Sequence, residues 1–232
     1  MAVVQTGRSA DGASPAPDAL HAEFLTALPV DGASVSVVTI TGNQSTISSS
    51  NVLSTHLEQL QYDLGEGPHW SALQTRKPVL VPDVRAADHA RWPMFGHAVV
   101  QTAARGMFSF PMRLGAATVG VVDLHSLAPG GLSDTDVTRA VTLAGALAGR
   151  AAQYAAADAD GDGRHDTGLV AGTRRTVHQA TGMMSVQLQS SATEAFSRLR
   201  GHAYATGRSV EDVAHDVVAR LIDFTEPADA DG

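Results

Sequence analysis

Gly106-Met-Phe-Ser-Phe-Pro-Met112 and Ala117-Thr-Val-Gly-Val-Val-Asp-Leu-His125 are the two clearest strands in this sequence, and the Arg113-Leu-Gly-Ala116 segment between them suits a hairpin turn. Their β-branched and aromatic content fixes a sheet at the centre of the chain. Upstream, Ala33-Ser-Val-Ser-Val-Val-Thr-Ile40 and a second run near Thr46 to Ser50, joined at Gly42-Asn43, predict another hairpin. A short strand is expected around Pro78 to Val81. Helical spacing marks Leu20, Phe24, Leu25 and Leu28, and again Leu53, Leu57 and Leu60 within 52–61. Further helices are expected near Trp70 to Thr75 and from Arg91 to about Ala104. After Pro129-Gly-Gly, the capping-box pattern Ser133-Asp-Thr-Asp136 opens a long Ala-rich helix through about Tyr154. The order predicts an α+β domain over 20–154: an antiparallel sheet with helices mainly on one side, its irregular middle able to enclose a small ligand.

Residues 155–168 are polar, Asp- and Gly-rich and lack hydrophobic periodicity, which predicts an acidic linker or an extension of the connecting helix. Asp158, Asp160, Asp162, Gly163 and Asp166 match parts of a calcium loop, but Leu169 stands where the twelfth-position Glu is required. An all-α unit of three helices follows over 169–224. Leu169, Val177, Ala180, Met184 and Leu188 share one side of the first, interrupted by Gly182, whose low propensity a close helix–helix contact could offset. Ser191-Ala-Thr-Glu194 caps the second and Gly207 stops it in a left-handed turn. Ser209-Val-Glu-Asp212 caps the third, with Val213, Ala214, Val217, Val218, Leu221 and Ile222 as its apolar face. Residues 1–19 read as a disordered leader and 225–232 as an acidic tail.

The 232 residues include no cysteine, which excludes disulfides, thiolate nucleophiles and Cys-based metal sites. No apolar run is long enough to span a bilayer, so a cytoplasmic protein without membrane contact is expected. The formal net charge of -8 disfavours a broad phosphate-neutralising surface. Locally, however, 169–224 carries six Arg against five Asp or Glu, which permits a small nucleic-acid footprint there. The ten histidines form no HExxH or other local ligand cluster, and no Walker loop, dinucleotide fingerprint or nucleophile elbow is present; no metal site is expected and no cofactor is identified. Asp63 with Glu66 and Asp83 with Asp88 lie beside Gly or Pro or at element ends, where carboxylates cap amides rather than transfer protons. His69, Trp70, Trp92, Phe95 and Phe108 are candidates for a ligand pocket.

Leu64-Gly-Glu-Gly-Pro68, Val81-Pro-Asp-Val84, Arg91-Trp-Pro-Met-Phe95, Gly106 to Met112 and Val119-Gly-Val-Val-Asp-Leu124 resemble the GAF domains of actinobacterial regulators. Gln179-Ala-Thr-Gly-Met-Met184, Ser191-Ala-Thr-Glu-Ala-Phe196, Leu199-Arg200, His202-Ala203 and Val213-Ala214 resemble an ANTAR domain. Together the two cover roughly 20–224. The resemblance implies a GAF-like sensor of small molecules followed by an ANTAR-like, three-helix RNA-binding domain. The chain would then be a homodimeric transcription antitermination regulator that binds paired RNA hairpins and is not an enzyme. Arg174, Arg175, Gln179, Thr181, Arg200 and Tyr204 are the RNA-contact candidates it implies. Thr181 departs from the family pattern, where Lys is common. The absence of cysteine removes the redox chemistry some GAF relatives use. The alternative keeps both folds as a ligand-sensing or protein-interaction module without specific RNA binding.

Overall fold

A computed structural model of the chain describes residues 20–38, 44–159 and 169–225. The leader, the Gly42-Asn43 turn, most of the calcium-loop-like run and the end of the acidic tail lie outside the described residues. The element order is α1 (Ala22–Ala27), β1 (Gly32–Val38), β2 (Gln44–Ser49), α2 (Val52–Leu64), α3 (Pro68–Thr75), β3 (Val79–Val81), α4 (Pro93–Val99), β4 (Gly106–Leu114), β5 (Ala117–Ser126) and α5 (Asp134–Ala159). These are followed by α6 (Leu169–Gln187), α7 (Ala192–Thr206) and α8 (Val210–Val218). The α4 helix is shorter than expected: a 3-10 turn at His89–Arg91 precedes it and the chain turns away after Val99.

The five strands form one sheet in the order β2-β1-β5-β4-β3, and every pairing is antiparallel. The decisive hairpin pairs Gly106 with Ser126 and Phe110 with Val122, with a register shift at Met112/Arg113. Helices cover both faces, not mainly one. Phe108, Phe110 and Met112 of β4, Val122 and Leu124 of β5 and Val35 and Val37 of β1 pack against Phe24 of α1 and Ala140, Ala144, Leu147, Ala148 and Ala151 of α5. On the opposite face Met107 packs with Leu57 of α2, Trp92, Phe95 and Val99. Central strands sandwiched between two layers bury both of their faces, and β5 is buried at every residue from Gly120 to Ser126.

The predicted capping boxes are present at three helix starts. The Ser133 hydroxyl accepts from the Asp136 N–H at 3.1 Å, Ser191 from Glu194 at 3.2 Å and Ser209 from Asp212 at 3.0 Å. Gly207, at φ 65, closes α7 in the left-handed region. The three C-terminal helices enclose their own core of Val177, Ala180, Met184, Ala195, Leu199, Ala203, Val210, Val213, Ala214 and Val217. The last helix ends at Val218, earlier than its apolar pattern predicts, and Leu221 is left 74% exposed.

Gly120 of β5 lies between its partners Val37 of β1 and Met112 of β4. A Cβ there would overlap the Ser36 carbonyl oxygen, a backbone atom that cannot rotate away. Gly120→Val is therefore expected to lower the stability of the sheet domain by about 1–3 kcal/mol, the range for overpacking, read as a reduced urea midpoint at unchanged slope. A midpoint equal to that of the parent would contradict this packing.

Candidate functional site

Strand alternation sends every second residue of β4 and β5 toward α2 and α3. That side carries Met107 and Ser109 from β4, Asp123 and His125 from β5 and Ser34 from β1. The helices answer with Ser54, Leu57, Glu58 and Gln61 from α2 and His69 from α3. The result is a polar interior: Ser34, Ser54, Glu58, Gln61, His69, Ser109, Asp123 and His125 are all buried.

Its centre is Asp123. One carboxylate oxygen lies 2.5 Å from Nδ1 of His69 and the other accepts the hydroxyl of Ser109. The side chains of His69 and Asp123 are only 1% and 8% exposed. Burial of a carboxylate costs several kcal/mol unless it is paired and hydrogen-bonded, and these two partners meet that demand. Gln61 holds the start of α3 against α2. Its side-chain oxygen accepts the backbone N–H of His69 at 2.9 Å, and its backbone carbonyl accepts the Trp70 indole at 2.6 Å. Ser34, Ser54, Leu57, Glu58, Met107, Asp123, Leu124 and His125 line a cavity of about 10 Å³, room for a single water. Among the described residues no group of three or more His, Asp or Glu could hold a metal ion.

The Leu64-Gly-Glu-Gly-Pro68 motif supplies the turn that sets α2 against α3. Gly65, at φ 61, ends α2, Gly67 takes φ 126, a conformation L residues rarely adopt, and Pro68 begins α3. Glu66 caps the start of α4, accepting the N–H groups of Met94 at 2.9 Å and Phe95 at 3.1 Å. Asp83 accepts from Arg85 N–H and pairs bidentately with Arg105, and Asp88 caps Ala90. Glu66, Asp83 and Asp88 thus cap amides as their positions beside turns predict, whereas Asp63 accepts from the Gln59 side chain at 2.7 Å.

The pocket candidates divide. His69 belongs to the polar cluster. Trp92 donates its indole N–H to Ser71 and packs with Phe95 in the apolar part of the same layer, while Trp70 is partly buried at its edge. Phe108 is a correction: one residue from Met107 and Ser109, it points to the α5 side of the sheet and takes no part in this interior. Glu58, Gln61, Ser109 and His125 were not among the sequence candidates. The alternation of β4 and β5 around the hairpin is the signal that could have found the strand residues.

The RNA-contact candidates divide as well. Gln179 is exposed and Tyr204 is 66% exposed. Arg174 and Arg175 fall within α6, and their side chains lie outside the described residues. Thr181 is 6% exposed and its hydroxyl donates to the Val177 carbonyl at 2.7 Å, so it faces the bundle interior rather than an external partner. Arg200 is partly buried and turned toward the sheet domain, donating to the Leu64 carbonyl at 3.0 Å. Arg198, which no motif in the sequence marks, is exposed on α7 one turn before the exposed Gly201, with Tyr204 a further turn on. Gly182 is exposed, and a Cβ there would meet nothing within 4 Å among the described residues, so no described helix of this chain supplies a close contact.

Burial holds the imidazole of His125 below its ordinary 6.5, against a smaller opposing pull from Asp31. A histidine whose folded value is depressed binds its proton more readily when unfolded, so its contribution to stability is complete above 6.5 and declines as the pH falls below it. NMR titration is expected to place the His125 midpoint below 6.5, with stability decreasing across the same acid window. A midpoint at or above 6.5 would contradict the buried, neutral imidazole.

Comparison with known proteins agrees with this architecture. Residues 18–151 match the GAF domain and residues 171–218 match the ANTAR domain. Similar solved structures include the GAF domain of a phosphoenolpyruvate-protein phosphotransferase from Coxiella burnetii, at 22% identity and a TM-score of 0.48, covering 64% of this chain and 88% of that one. The corresponding Acinetobacter domain shares 20% identity at a TM-score of 0.46, covering 62% and 83%. A type II free methionine-R-sulfoxide reductase from Thermoplasma acidophilum shares 16% at a TM-score of 0.44, covering 59% and 90%. A search of curated proteins finds no match. The matched families are regulatory rather than catalytic, and no described helix is long and apolar enough to cross a membrane. By the extent of the first match the chain belongs to the GAF domain family, and it carries an ANTAR domain at its carboxyl end.

Proposed function

We propose that this protein is a cytoplasmic, signal-responsive transcription antitermination regulator that binds paired RNA hairpins through its ANTAR domain. The observation that carries the reading is the exposed stripe of α7. Arg198 offers a cation and Tyr204 an aromatic face, with Gly201 between them. A mid-helix glycine costs about 1 kcal/mol relative to Ala. Gly201 is exposed and nothing lies within 4 Å of a Cβ built there, so no described packing inside the chain accounts for it. A bare backbone flanked by a guanidinium and a phenol suits an unpaired base in an RNA loop, read by stacking and hydrogen bonding with few phosphate contacts. That economy also fits a chain of net charge -8.

The GAF domain supplies the signal in this reading. Its interior places the carboxylates Glu58 and Asp123 with His125 and two serines around one small cavity, which supports recognition of a small polar molecule. Two RNA hairpins call for two ANTAR domains, hence a homodimer. The outer face of α6 supports it: Gln179, Gly182 and Val186 lie on one exposed stripe, with Val186 79% exposed. The competing reading, a protein-interaction module without specific RNA binding, draws support from the acidic total charge and the burial of Thr181.

Tyr204→Ala is expected to weaken binding to a synthetic two-hairpin RNA by about 10- to 100-fold, the usual worth of one base–aromatic stack. Arg198→Gln is expected to reduce the salt slope of binding by about one. Fluorescence anisotropy across a salt series reads both; unchanged affinity and slope in both variants would favour the protein-interaction module. Val186→Glu is expected to shift the protein toward monomer in sedimentation velocity, because it places a charge in an apolar contact. A dimer of undiminished strength would remove α6 from the interface.

A further inference from the structure

The end of α2 does more than close the GAF interior. The last carbonyls of a helix lack intrahelical donors, and Leu64 O is one of them. Its donor comes from the other domain: the Arg200 guanidinium at 3.0 Å. Arg200 also lies 5.7 Å from the Phe196 ring, which in turn tilts against Tyr62 with ring centroids 5.1 Å apart. Gly65 lets the guanidinium in, since any Cβ there would overlap it. A cation at the negative end of a helix is favoured by the helix dipole, and burial lowers the proton affinity of Arg200 while Tyr62, Asp63 and Glu66 oppose that loss.

The same helix faces the polar cavity. Leu57 and Glu58 line it, and Gln61 pins α3 one residue before Tyr62 meets Phe196. The cavity has room for only a single water, so a larger ligand requires its wall to move, and α2 is the one helix that lines it. We propose that the end of α2 is an intramolecular clamp that docks the ANTAR bundle on the GAF domain, withholds Arg200 from outside partners, and opens when the GAF interior admits its ligand. The withholding of an RNA contact rests on the RNA-binding reading; the docking does not.

The junction also carries a titratable group. Asp63 is pushed up to about 6, first by burial, opposed by its hydrogen bond from Gln59, then raised by Glu211, lowered by Arg200 and raised by Asp212. Glu211 and Asp212 reach it from the bundle and act against Arg200, so within this proposal acidification from pH 7.5 to below 6 favours closure and ionisation above 6 opposes it.

The full chain contains no cysteine, so Val52→Cys on α2 and Ala205→Cys on α7, both exposed, give one pair of nitroxide labels per chain, and diluting labelled chain into excess unlabelled protein leaves one pair per particle even in a dimer. Double electron–electron resonance is expected to show a single narrow distance at pH 5.5 that broadens toward pH 7.5. Asp63→Asn should keep it narrow at both pH values, whereas Tyr62→Ala and Arg200→Gln, which break the junction from opposite sides, should each broaden it at pH 5.5. A distribution unchanged by both junction variants overturns the clamp. A second arm uses the two-hairpin RNA: Tyr62→Ala, which leaves α7 intact, should bind roughly tenfold tighter than the parent at pH 5.5 by freeing the competent state. Equal affinities beside a broadened distance overturn the shielding role. Failure of both proteins to bind RNA overturns the RNA-binding reading and the shielding with it, while the distance measurement still decides the docking.

Discussion

Helix α2 must satisfy two neighbours at once, and most of the molecule is arranged around that constraint. Along its length it meets a layer of the sheet that carries a buried carboxylate, Asp123, and two buried imidazoles, His69 and His125. Such groups tolerate burial only with polar partners, so α2 presents Ser54, Glu58 and Gln61 inward where an ordinary helix would present leucine. At its end it presents an open carbonyl to a second domain, and the Gly65 turn makes that approach possible. One thirteen-residue helix therefore links the interior of the GAF domain to the surface of the ANTAR domain.

Much of this fold is legible in the sequence because its local signals agree with one another. The hairpin of β4 and β5, the caps at Ser133, Ser191 and Ser209, and the left-handed stop at Gly207 each follow from residue chemistry that tertiary packing did not override. The layering was harder. Continuous apolar strands such as Gly106 to Met112 signal burial on both faces, whereas the order of elements along the chain points to helices mainly on one side. The placement of Phe108 failed for a related reason: neighbouring residues on a strand face opposite ways, so sharing a sequence motif with Ser109 says nothing of sharing a pocket.

In the site, residue type was a poorer guide than direction. Arginine and threonine are plausible RNA contacts anywhere on a helical bundle, yet Thr181 spends its hydroxyl on its own helix and Arg200 spends its guanidinium on Leu64. Arg198, two residues from Arg200, is exposed because a step of two residues carries a side chain to the far side of a helix. The polar interior was hidden because its members come from five separate elements, and no spacing along the chain records a convergence of β1, β4, β5, α2 and α3.

For the proposed RNA recognition, a net charge of -8 requires a compact contact in which geometry replaces bulk charge, and the exposed stripe of α7 is the proposed one. Ultraviolet crosslinking of the native protein to cellular RNA, with sequencing of the RNA and mapping of the crosslinked residues, tests that claim most directly. The account predicts enrichment of leader segments able to form two adjacent hairpins, with adducts on α7 at or beside Tyr204. RNA recovered only at background, or adducts confined to the GAF domain, would contradict it.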